Sequence, residues 1–121
     1  MKLVAWVLRV VVFGTFLGHG IFALLGNEHW MPYLGVVGIT GEGAYQVMFV
    51  IGIIDLIVAV SMLLRPSKVV VAYACTWAFA TALARPLSGE SWLEFLERAA
   101  NWGAPMALYL VLYWKNHKID Q

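Results

Sequence analysis

The sequence predicts an all-α integral membrane protein that crosses the bilayer four times as a bundle of helices. Hydrophobic residues make up 62% of the 121 residues and charged residues only 12%, with a mean hydropathy of +0.79. A soluble domain carries about 25% charged residues. Four apolar stretches, at about 3–25, 44–64, 69–85 and 92–114, approach the ~20 residues that span a bilayer. We therefore expect a single transmembrane domain covering residues 1–121.

The first apolar stretch, about 3–25, is too long for the core of a signal peptide, and no small-residue cleavage site follows it. We expect it to be retained as the first helix. Gly14 and Gly18 form a G-x-x-x-G pattern that Gly20 extends, and such a pattern lets a second helix approach closely. We expect these three glycines to pack against another helix of the same chain, with a second copy of the protein as the alternative.

The connection to the second helix is polar and rich in glycine, and it contains Trp30 and Tyr33. This composition is typical of an interfacial loop or short helix at the level of the lipid headgroups. The second helix, about 44–64, carries Asp55 as its only charge, and Pro66 stops it because proline lacks a backbone N–H. The third helix, about 69–85, closes at Arg85.

The fourth helix has the clearest start signal, because Ser91 and Glu94 match the S-x-x-E capping box. It is predicted to run from 92 to about 114, which is long enough to span with tilt. Pro105 frees the carbonyl of Asn101, so we expect a long helix that is kinked there.

Lysine and arginine are distributed unevenly between the two sides. With the N-terminus in the cytoplasm, the outer boundary carries Arg85 and several glutamates, and the inner side carries Lys2, Arg65, Lys68, Lys115 and Lys118. The positive-inside rule then predicts that both termini are cytoplasmic. The bias also argues against small dual-topology multidrug transporters and fluoride channels, which need balanced loop charges to insert in both orientations.

Two charged residues are predicted to pair near the inner face. An ionisable side chain at mid-depth costs at least ~2.5–3.5 kcal/mol, so it normally faces a partner or a wet cavity. At 1.5 Å per residue, Arg9 lies ~10 Å and Asp55 ~15 Å from the cytoplasmic side. We expect an intramembrane ion pair between Arg9 and Asp55, acting either as a structural clamp or as a proton or anion site.

A second polar layer is predicted in the outer half, where depth along each helix places five side chains at a similar level. These are His19, Arg85, Glu97, Arg98 and Asn101. A polar pocket of this kind under tryptophan rings suits a quinone head group or a small anion. The alternatives are an internally satisfied network that positions the fourth helix, and the wet face of an interfacial helix.

Several kinds of chemistry are not indicated by the sequence. Haem held by two histidines is not expected, because only His19 lies in a predicted span. No metal-ligand spacing, nucleophile motif or phosphate loop appears, and the lone Cys75 is typical of packing. No basic stripe indicates nucleic acid. We therefore expect no autonomous enzyme, and a lipid bilayer as the protein's environment.

The first half of the chain, Val7–Pro66, resembles the DoxX-like membrane proteins. The likeness is carried by the first helix (Arg9, Gly14, Gly18, His19, Gly20, Leu24) and the second (Gly52 to Asp55, Ala59, Leu63, Leu64). The resemblance implies a four-helix protein of the bacterial inner membrane, associated with quinone-linked or thiol-redox partners, in which Arg9, His19 and Asp55 are corresponding positions.

Three functions remain open at this point. The first is a small accessory subunit in a quinone-linked redox system, present as a homo-oligomer or within a larger membrane complex. The second is a small transporter or channel for an ion or solute, whose path the charged layers would line. The third is a structural assembly subunit.

Overall fold

The computed structural model describes residues 2–113, which form helices joined by turns, with no strand among them. The helices are α1 (Lys2–Leu24), α2 (Met31–Gly35), α3 (Glu42–Leu64), α4 (Lys68–Leu87), α5 (Trp92–Glu97) and α6 (Ala99–Tyr113). Of these, α1, α3 and α4 are long and apolar enough to cross a membrane. The prediction of an all-α fold is confirmed for residues 2–113, and three of the predicted spanning helices have the length and apolar composition that a membrane crossing requires.

The connection between α1 and α3 is a compact helical segment. A 3-10 turn at Glu28–Trp30 leads into α2, and the Asn27 side chain accepts a hydrogen bond from the backbone N–H of His29. Pro32 lies in the first turn of α2, where its missing N–H costs no helical hydrogen bond. The structure thus forms the short helix that the sequence offered as one alternative for this connection.

The predicted long fourth helix is divided into two. A turn at Arg98 separates α5 from α6, and the sequence interpretation placed the irregularity later, at Asn101 and Pro105. Pro105 is buried within α6. Beside the break, the ring of Phe95 packs on Phe79 of α4 with centroids 5.6 Å apart. The predicted end of this helix at Trp114 lies outside the described residues, as do Lys115 and Lys118, which the sequence predicts to be cytoplasmic.

The helices associate mainly in two pairs. α1 packs along α3, and α4 packs along α6, while contacts between α1 and α6 connect the pairs. The buried core includes Phe16 of α1, Met62 of α3, Val71 of α4 and Leu108 of α6. The remaining helix surfaces are largely apolar and exposed, as expected of faces that contact lipid.

Glycine sets the closest approach between α1 and α3, and of the three glycines named from the sequence only Gly20 lies at this contact. A Cβ placed on Gly52 would lie 2.9 Å from the carbonyl oxygen of Gly20, whereas a Cβ on Gly14 or Gly18 would meet nothing within 4 Å. The buried face of α1 repeats every three or four residues and includes Phe16 and Gly20. Gly14 is two residues from Phe16, about 200° around the helix, and so points away from α3.

Candidate ligand cavity

A cavity of about 320 Å³ lies between α1, α3 and α4, and the segment around α2 and the turn at Arg98 contribute to its wall. Most of the lining is apolar or aromatic, including Trp30 and Trp77. The polar side chains in the lining are His19, Tyr33, Asp55, Thr81, Arg85, Arg98 and Asn101. A mainly apolar cavity with a few convergent polar groups is the usual form of a small-molecule site.

Arg9 and Asp55 do not form the predicted ion pair in the part of the chain that the structure describes. Instead, the Arg9 guanidinium donates hydrogen bonds to the backbone oxygens of Met62, at 2.7 Å, and Leu63, at 2.8 Å. The reason is the register of α1 and α3. Arg9 lies level with the end of α3, seven or more residues from Asp55, which corresponds to about 10 Å along the helix.

Asp55 lies instead at the level of the outer polar group. A Cβ on Gly20, the residue after His19, would be 3.2 Å from the Asp55 Cβ. The Asp55 side chain is 3% exposed, and its Oδ1 has no hydrogen-bond partner in the described structure. Buried polar atoms are nearly always hydrogen-bonded, so an unpartnered carboxyl oxygen beside a cavity is a candidate for an external partner. Of the predicted inner pair, Asp55 therefore joins the outer polar group in one site, whereas Arg9 does not line the cavity.

Four of the five residues predicted for the outer pocket do line the cavity: His19, Arg85, Arg98 and Asn101. Glu97 is not among the lining residues. Its carboxylate lies 3.6 Å from the Arg98 guanidinium, and its side chain is 66% exposed. The two arginines are close enough to His19 for their charges to act on the imidazole. Two guanidinium groups therefore line this end of the cavity, and the carboxylate of Glu97 is not part of the lining.

Tyr33 is a site residue that the sequence interpretation did not assign. Arg85 donates a hydrogen bond to the Tyr33 hydroxyl at 2.8 Å, and the guanidinium carbon lies 4.8 Å from the centre of the phenol ring. Burial raises the pKa of Tyr33, the Glu90 carboxylate adds to this rise, and the charge of Arg85 opposes it. The phenol is thus kept neutral beside the cavity. Its position in an aromatic interfacial segment was the only available signal.

Trp30 also lines the cavity, as Tyr33 does, from the segment around α2. Its ring packs edge-on against His19, with centroids 5.7 Å apart, and also against Phe22, at 6.1 Å. The segment around α2 therefore contributes both an aromatic wall and, through Tyr33, a polar group.

No protein-family model, curated protein or solved structure matches this chain. The cavity and its residues are accordingly the basis on which function is inferred.

Proposed function

We propose that this protein binds a quinone head group between its helices and works as an accessory subunit of a quinone-linked redox system. The observation that carries the proposal is the cavity itself. It brings a buried carboxyl group, an imidazole and two guanidinium groups together between aromatic and apolar walls. A quinone ring needs flat apolar walls and a polar partner for the oxygen at each end. The DoxX-like resemblance of the first half adds a thiol-redox system as a second kind of partner.

The size of the cavity suits the head group. Ligand pockets range from about 300 to 1,000 Å³, and this cavity of about 320 Å³ is at the lower end. It has room for a substituted six-membered ring and not for a long isoprenoid tail. The tail would lie along the exposed apolar faces of the helices, where the surrounding lipid provides an equivalent environment.

Quinone binding predicts saturable quenching of tryptophan fluorescence when a short-chain benzoquinone is added to the purified protein in nanodiscs. Trp77 lines the cavity, whereas Trp6 lies near the start of α1, where its ring packs against the Arg9 guanidinium. We expect Trp77→Phe to remove a large part of the saturable quenching, and Trp6→Phe to leave it in place. Quenching that rises linearly without saturation, and equally in both variants, would indicate partition into lipid and would contradict the proposal.

A transport function is the second candidate, because His19 and Asp55 place two titratable groups in one cavity. It predicts that liposomes containing the protein pass protons or a small solute, and that Asp55→Asn stops this flux. Saturable quinone binding without flux supports the accessory redox subunit. If neither binding nor flux is found, a structural role in membrane-complex assembly becomes the better explanation.

We also propose that the protein lies in the bacterial inner membrane as a four-helix bundle with both termini in the cytoplasm. α5 and α6 together would make the fourth crossing, as part of a homo-oligomer or a larger complex. Arg65 and Lys68, between α3 and α4, carry the positive charge that favours this orientation. Reporter fusions test it: a reporter active only in the cytoplasm should work at the C-terminus and fail when inserted at Gly89, between α4 and α5.

A further inference from the structure

We infer that Asp55 makes this cavity select the reduced, quinol form of its ligand over the oxidised quinone. The inference rests on the proposed function and adds a specificity-determining residue to it. Asp55 is the one charged residue that is fully buried in the part of the chain that the structure describes. None of the neighbouring helices places a cation within salt-bridge distance of its carboxyl group there. Arg9 is engaged with the end of α3, and the carboxylates beside Arg85 and Arg98 are those of Glu90 and Glu97.

The surroundings of Asp55 leave its carboxyl group available to a ligand. Gly20 has no side chain, and a Cβ at this position would lie 3.1 Å from Leu56 and 3.2 Å from the Asp55 Cβ. Oδ1 has no partner among the described residues, and Asp55 belongs to the cavity lining. A carboxyl group in such a place can satisfy its hydrogen bonds with a polar group of a bound molecule.

The other side of the cavity presents hydrogen-bond donors. Arg85 and Arg98 carry only donor groups, and the buried Nε of Arg98 has no partner within residues 2–113. A ligand oxygen that faces these arginines must accept hydrogen bonds. Both a carbonyl oxygen and a hydroxyl oxygen can do so. The arginines therefore bind either redox form and do not distinguish between them.

Asp55 does distinguish the two forms. A quinol hydroxyl can donate to an ionised carboxylate, and it can also accept from a protonated carboxyl group, so it pairs with Asp55 in either protonation state. A quinone carbonyl can only accept, so a protonated carboxyl group would serve it as well as it serves the quinol, whereas the ionised carboxylate pairs with the quinol and repels the quinone. Asp55 therefore discriminates between the two forms when its carboxyl group is ionised. A hydrogen bond to a charged group contributes about 1.5–3 kcal/mol. The quinol should accordingly bind about tenfold more tightly, which raises the midpoint potential of the bound couple by about 30 mV.

The test measures the affinities of a short-chain benzoquinol and of its quinone for the full-length protein in nanodiscs, with the quinol held under anaerobic conditions. At alkaline pH, where Asp55 is ionised, wild type should prefer the quinol by about tenfold. Asp55→Asn offers both a carbonyl acceptor and an amide donor, so its preference should fall to about twofold or less. Ser61→Ala is the matched control on α3, because this serine bonds to the Ile57 oxygen outside the cavity. It should keep the wild-type preference.

A second ligand keeps the test independent of whether Asp55→Asn folds. The 1,4-dimethoxy derivative of the same ring keeps both oxygens as acceptors and has no hydroxyl to donate, so wild type should bind it about tenfold more weakly than the quinol. Equal affinity of wild type for all three molecules, or an unchanged preference in a folded Asp55→Asn variant, would overturn the inference and leave quinone binding intact. If neither the quinol nor the quinone binds saturably, the proposed function itself is refuted.

Discussion

Gly52→Ala is expected to destabilise the protein by about 3 kcal/mol, because overpacking a close contact typically costs 1–3 kcal/mol and here the contact is with backbone. The new Cβ would lie 2.9 Å from the Gly20 carbonyl oxygen and 2.9 Å from Leu24 Cγ. A flexible side chain could move aside, but the Gly20 oxygen is fixed within α1. The helices must therefore separate, and the effect should appear as a lower midpoint in SDS-titrated or thermal unfolding in detergent.

Gly14→Ala is the matched control, since a Cβ there would meet nothing within 4 Å. Alanine is favoured over glycine inside a helix by about 0.5–1 kcal/mol, so this variant should be as stable as wild type or slightly more stable. A loss of stability as large as that of Gly52→Ala would mean that Gly14 packs against another helix, within the chain or from a second copy. That result would restore the original interpretation of the G-x-x-x-G pattern.

Much of the fold could be predicted because lipid imposes simple constraints on sequence. Long apolar runs and the proline at position 66 placed α1, α3 and α4 to within a few residues of the observed helices. The division of the fourth helix could not be predicted in the same way. Beside the division Phe95 packs against Phe79 of α4, and a contact between different helices leaves no local signal in the sequence.

Most of the polar residues of the site could be named from the sequence, but their arrangement in space could not. Helix depth can be counted from each helix end, but the ends of α1 and α3 are not level with one another. Gly20 packs on Gly52 and Arg9 bonds to the Met62 oxygen, so Asp55 lies beside Gly20, lines the same cavity as His19 and is away from Arg9. The register between α1 and α3 is set by the Gly20–Gly52 contact and by the hydrogen bonds from Arg9 to the end of α3. These contacts decide which residues of the two helices lie at the same level, and they can be identified only once both helices are packed together.

Arg9→Leu is expected to destabilise the protein by about 2 kcal/mol, because it removes a cap that one helix provides for another. The last four carbonyl groups of a helix have no partner within that helix. Arg9 of α1 donates to two oxygens near the end of α3, those of Met62 and Leu63. A hydrogen bond to a charged group contributes about 1.5–3 kcal/mol, and the partial exposure of Arg9 keeps the total near the lower value.

The shape of the guanidinium group separates this role from a simple effect of charge. Arg9→Lys keeps the charge and supplies a single ammonium group that matches two carbonyls less well, so its stability should be intermediate. Arg65→Leu removes a charge near the same end of α3, where Arg65 is exposed, and should lower the unfolding midpoint much less. If Arg9→Leu and Arg65→Leu had equal effects, the cap would contribute nothing beyond charge. A clear gap between them, with Arg9→Lys in the middle, would establish that Arg9 joins α1 to the end of α3 and so fixes the register that places Asp55 in the cavity.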